Sequence, residues 1–129
     1  MAKKNMSQLR QRLRALHQSL GGLVETFMSR EALLKAYLSD APRTCGNRSC
    51  RCYRGQPHPA WVVRTPEGRR ARTHSVSQAA FERLRRPTEA YRHWRQARAE
   101  WNRLVREVHE VLSQMERLRT VELDTWLEE

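Results

Sequence analysis

The sequence predicts a mainly α fold: two long heptad helices paired as an antiparallel, coiled-coil-like hairpin, with a small stapled β-hairpin head between them. Three observations predict it. Apolar residues step by three and four along both ends of the 129-residue chain, a period that belongs to helices. A β-prone stretch with its own turn separates the two seams. Every cysteine lies just before that stretch, between positions 45 and 52.

The first seam lies in residues 1–40 and reads Met6, Leu9, Leu13, Leu16, Leu20, Leu23 and Phe27. This alternation places all seven side chains on one stripe of a helix. Arg30 interrupts it, and Leu33, Leu34, Tyr37 and Leu38 resume an apolar face. A helix of about 33 residues, roughly 50 Å long, is therefore expected. Gly21 and Gly22 sit in mid-seam, where each costs about 1 kcal/mol relative to alanine. Either the helix breaks there or another backbone approaches closely, and both remain open.

Residues 41–76 form the expected head. Trp61-Val62-Val63-Arg64 is β-prone. Thr65-Pro66-Glu67-Gly68 has proline and glycine where a tight turn wants them, and Arg69 to Val76 returns. Strand alternation puts Arg70, Arg72 and His74 on one face and Ala71, Thr73 and Ser75 on the other, so one face is predicted to be basic.

The second seam lies in residues 77–129. Ser77 is a candidate N-cap. Pro87 either breaks the helix, leaving Thr88 to cap the longer part, or only kinks it. Beyond it, Trp94, Ala97, Trp101, Leu104, Val108, Val111, Met115 and Leu118 again step by three and four, giving a second helix of about 39 residues. Val105 and Leu112 widen this stripe, which predicts packing on more than one partner helix. A two-helix stalk has a thin core, so a homodimer closing into a four-helix bundle is expected. The chain ends in an acidic tail carrying Glu122, Asp124, Glu128 and Glu129.

Chemistry concentrates in the loop before the hairpin. Cys45, Cys50, Cys52 and His58 follow the spacing C-x4-C-x-C-x5-H. Three thiols and one imidazole are the four ligands of a closed tetrahedral zinc site, and this soft set leaves no open coordination position. A structural Zn²⁺ is predicted. His74 on the hairpin competes with His58 as fourth ligand. Gly46 is expected to allow the tight backbone that aims amide N–H groups at sulfur, and Gly55 to let the chain reverse. An odd cysteine count with a Cys-x-Cys pair argues against a disulfide framework and for metal binding in a reducing cytoplasm.

The same residues carry a resemblance. Cys45-Gly46-x3-Cys50-x-Cys52-x2-Gly55-x2-His58, followed by Trp61, Arg69–Thr73 and Tyr91-Arg92, is similar to a family of small uncharacterised bacterial proteins. It spans about residues 28–118 and departs at Pro59-Ala60, where that family has Gly-Pro. Its members look like zinc loops followed by a basic hairpin and a long helix. The resemblance implies this architecture and an association with mobile elements.

Net charge is +11, and 22 of the 25 basic residues are arginine. Residues 1–59 carry eleven Lys/Arg against three acids and residues 60–100 carry ten against four, whereas residues 101–129 carry four against seven. Such polarity points to a polyanionic partner. Arg43, Arg48, Arg51, Arg54, Arg64, Arg69, Arg70 and Arg72 surround the metal loop and hairpin, and Arg85, Arg86 and Arg92 start the long helix. These eleven are the candidate nucleic-acid contacts, with DNA preferred over RNA. Tyr53 and Trp61 lie among them and are candidates to stack on bases of a single strand, with Trp61 alternatively covering the metal site or the hairpin's core. A second reading is a coiled-coil adaptor or accessory subunit of a larger recombinase or nuclease complex. No catalytic constellation or phosphate loop is present, so a non-enzymatic role is expected. No apolar run is long enough to span a bilayer, and no signal-like apolar stretch follows Met1-Ala2-Lys3-Lys4-Asn5. A soluble, cytoplasmic protein is expected.

Overall fold

The computed structural model describes residues 4–128. It is mainly helical, with one small antiparallel sheet. In chain order the elements are α1 (Met6–Phe27), β1 (Tyr37–Asp40), a 3-10 turn (Arg51–Arg54), β2 (Trp61–Glu67), β3 (Arg70–Val76), α2 (Gln78–Arg119) and α3 (Leu123–Leu127). They divide into two compact units: residues 4–29 with 95–128, and residues 30–94. No helix among the described residues is long and apolar enough to cross a membrane.

The first unit is built on the two seams. Asn5 starts α1 with a capping box, its side chain accepting from the Gln8 N–H at 2.9 Å while the Gln8 side chain accepts from the Asn5 N–H at 3.0 Å. Such a cap is worth about 1 kcal/mol. Leu9, Leu16, Leu104 and Val111 form the buried cluster, with Met6, Leu13, Leu20, Leu23, Val108 and Met115 packed on it. All ten are seam residues, and each buried leucine contributes roughly 1.5–3 kcal/mol. The Arg12 guanidinium meets the Glu107 carboxylate at 2.6 Å. Phe27 meets Trp101 edge to face, with ring centroids 5.7 Å apart at 81°.

The helix does not resume after Arg30. α1 ends at Phe27, and Tyr37–Asp40 is a strand on the edge of the sheet. Leucine pairs and Tyr37-Leu38 suit a strand as well as a helix. The open edge of β2 supplies partners, with Tyr37 opposite Arg64 and Asp40 opposite Trp61. Tertiary pairing therefore overrides the local pattern. Gly21 and Gly22 neither break α1 nor admit another backbone, since a Cβ added at either position would meet nothing within 4 Å.

The head is a three-stranded sheet in the order β1-β2-β3. Its β2–β3 turn lies two residues later than the sequence suggests, at Gly68-Arg69, with Gly68 at φ 61°. A positive φ at the first central residue is the demand of a type II′ hairpin. Pro66 stays in β2 opposite Ala71. It is tolerated because β1 pairs only as far as Arg64, so β2 is an edge at Pro66.

α2 begins at the predicted cap, with the Ser77 hydroxyl accepting from the Ala80 N–H at 3.1 Å. It runs unbroken through Pro87 to Arg119. Thr88 is therefore no cap. It is buried inside the helix, and among the described residues its hydroxyl has no hydrogen-bond partner. The Pro87 carbonyl accepts from the Leu34 N–H at 3.0 Å, which ties the segment before β1 to the helix. The acidic end contains the short helix α3, whose residues are all exposed.

Candidate metal centre

The four predicted ligands converge. The three sulfurs of Cys45, Cys50 and Cys52 and a ring nitrogen of His58 all lie within 4.8 Å of one another. Cys45 Sγ is 3.6 Å from Cys52 Sγ, and Cys50 Sγ is 3.1 Å from His58 Nε2. Tetrahedral zinc with its usual bond lengths sets S···S near 3.8 Å and S···N near 3.6 Å. The cluster can hold a metal ion with small adjustments. His74 is not part of it; this residue lies on β3 with its Nε2 3.4 Å from the Thr65 hydroxyl.

Local structure explains why the ligands meet. Cys50 is the N-cap of the 3-10 turn and Cys52 lies inside that turn, so two thiols are carried by one tight element. Gly55 ends it in the left-handed region at φ 91°, its N–H donating to the Arg51 carbonyl. The chain then reverses toward His58, and only glycine adopts this conformation without strain. His58 is anchored by paired backbone bonds with Arg43, of 2.9 and 2.8 Å. That bridge brings the residues flanking Cys45 to the imidazole.

Other contacts close the loop around Cys45. The Cys45 N–H donates to Cys52 Sγ at 3.3 Å, and the Tyr53 hydroxyl donates to the Cys45 carbonyl at 2.5 Å. Asn47 accepts at its side chain from the Ser49 N–H and at its backbone from the Cys50 N–H, both at 3.0 Å. Tyr53 thus belongs to the scaffold of the loop. The glycine expected to shape the first ligand does not: Gly46 has no positive φ, and a Cβ there would meet nothing.

The thiols differ in their electrostatics. Cys50 is lowered from 9.0 to about 7, chiefly by the backbone N–H of Cys52, then by the neighbouring thiols of Cys45 and Cys52. Cys52 is buried, and desolvation raises its thiol. Metal ligation requires thiolates, so Cys50 is the ligand already poised to bind.

The eleven predicted arginines are all exposed. Arg48, Arg51 and Arg54 lie on the metal loop and Arg43 beside its bridge. Arg70 and Arg72 share a face with His74 as predicted, but in register with Glu67 and Thr65, while Arg64 lies on the opposite face with Tyr37. Arg85 is paired with Glu82 at 2.8 Å and stacks over the Phe81 ring at 5.1 Å, and Arg86 is paired with Glu31 at 2.6 Å. Exposed pairs of this kind contribute about 1 kcal/mol or less. Trp61, half-buried, lies in β2 between Asp40 and Val76.

Sequence reasoning found the four residues that converge and missed their supports. The Arg43–His58 bridge and the Asn47 turn act through backbone groups, which leave no mark on residue type. No protein-family model matches the chain, and neither does any curated protein or solved structure.

Proposed function

We propose that this protein is a non-enzymatic, zinc-containing nucleic-acid-binding protein that acts on DNA. The observation that carries the reading is the convergence of three thiols and an imidazole in a loop that also bears Arg48, Arg51 and Arg54. Zinc suits this donor set, and with four protein ligands its coordination is complete, which makes its role structural. Three thiolates and a neutral imidazole on Zn²⁺ leave one net negative charge, which the adjacent arginines offset. A pinned loop also lowers the entropy lost when these side chains are ordered on phosphates.

The two seams pair antiparallel in this reading. Support comes from Arg12 on Glu107 and Phe27 on Trp101, an order that rises along α1 and falls along α2. Support for a homodimer comes from the apolar residues left open on the same unit: Leu112, Leu118, Leu123, Trp126 and Leu127 are each 45% exposed or more. Those residues also favour the second reading, a coiled-coil adaptor docking on a larger nucleic-acid enzyme.

Titration of labelled duplex DNA at several salt concentrations separates the two. Autonomous binding predicts affinity that falls steeply with salt, by about 0.9 log units per log unit for each phosphate neutralised. Salt-insensitive or absent binding, together with co-purification of a partner protein, favours the adaptor.

A further inference from the structure

A concave site lies in the unit of residues 30–94, and none of Cys45, Cys50, Cys52 and His58 lines it. Tyr37 pairs with Arg64 across β1 and β2, and Pro66 pairs with Ala71 across β2 and β3. Paired residues share a face, as do residues two apart on one strand. These four side chains therefore line one side of the sheet. Tyr91 of α2 and Lys35 before β1 complete an open groove of about 470 Å³. Tyr37 is 60% exposed at its rim.

The composition of the groove selects its occupant. Its lining is mostly apolar, two tyrosines over a small floor of proline and alanine, with the side chains of Lys35 and Arg64 along it and no carboxylate. A purely apolar ligand would leave the cations unused, and an acidic peptide would leave the rings unused. A nucleotide uses both, through a flat base and a phosphate, and the volume is in the range of small-ligand sites. Duplex nucleic acid keeps its bases inside the stack, whereas a single strand presents them.

We propose that this groove takes one unstacked base of a single-stranded nucleic acid against Tyr37 and Tyr91, with the adjoining phosphate held by Lys35 and Arg64. The inference rests on the nucleic-acid reading above and adds to it a preference for strand state. It makes the head a reader of opened or unpaired segments, with the loop arginines following the backbone on either side.

The test uses the full zinc-loaded chain, a short labelled oligothymidylate and a labelled duplex of equal length. Tyr37 is exposed on an edge strand, so its replacement leaves the fold intact. Tyr37→Ala is expected to weaken oligothymidylate binding about tenfold, with duplex affinity changed by less than about twofold, while Tyr37→Phe keeps single-strand affinity. Lys35→Gln is expected to lower the salt slope for oligothymidylate by about one. Unchanged single-strand affinity in Tyr37→Ala, or equal losses on both substrates, overturns the inference. Duplex binding without any single-strand binding overturns it and leaves the broader reading standing; loss of both overturns both. Free thymidine monophosphate competing as well as the oligomer would overturn the assignment to a strand.

Discussion

Cys50 and Cys52 are two residues apart and are tuned in opposite directions, one by a backbone N–H aimed at its sulfur and the other by burial. Their chemistry should differ accordingly. With metal removed, at pH 7.5, iodoacetamide is expected to alkylate Cys50 well before Cys52, and mass spectrometry of peptides reads the order. Equal rates would contradict the tuning. The sign for metal retention follows from the same group. Cys50 is a thiolate above about 7 and takes a proton as pH falls through that value, so metal affinity declines on the acid side. A second residue makes an independent test. The buried Thr88 hydroxyl has no partner among the described residues, and such a group costs about 1–3 kcal/mol. Thr88→Val keeps the shape and removes the cost, so thermal melting should rise; a fall would mean that the hydroxyl is satisfied. At this scale the four candidate ligands were legible because metals demand particular side chains. Lys35 was not singled out, and Tyr91 only for the resemblance it carries, because an aromatic and a cation far apart in sequence meet in one groove only when strands and helix bring them together.

The elements were legible where a hydrophobic stripe had a committed period. The two seams supply every residue of the first unit's core cluster, and Ser77 caps α2 as its position suggests. The segment around Leu33 to Leu38 was misjudged because paired apolar residues fit either period, and the deciding factor is β2, more than twenty residues later. Pro87 was ambiguous for a related reason: the cost of a helix-interior proline is local, while the Leu34 N–H that its carbonyl accepts comes from a distant segment. Gly21 and Gly22 give the sharpest test of an element. Both lie inside α1 with open space around them, so Gly21→Ala and Gly22→Ala should each stabilise the protein by about 0.5–1 kcal/mol. Denaturant melts read this directly, and destabilisation by either would mean that α1 is broken at that point or closely approached there.

For the whole molecule, one unit is held by leucine packing and the other by a small sheet with a thiol–imidazole cluster beside it. A three-stranded sheet of this size has little apolar surface to bury, so metal ligation is expected to supply much of the head's stability. The open apolar residues Leu112 and Leu118 lie on the first unit. Leu112→Lys with Leu118→Lys is expected to convert a dimer to a monomer in sedimentation analysis, without loss of bound zinc. A parent chain that sediments as a monomer contradicts the dimer. The central claim, that the metal holds the basic loop in the form that meets nucleic acid, is tested most directly by duplex-DNA anisotropy on the zinc-loaded and the chelator-stripped protein, with zinc measured in each. One zinc per chain and binding at least tenfold weaker after stripping, restored by zinc, is the predicted result. Equal affinity with and without the metal, or a purified chain that holds none, would contradict it.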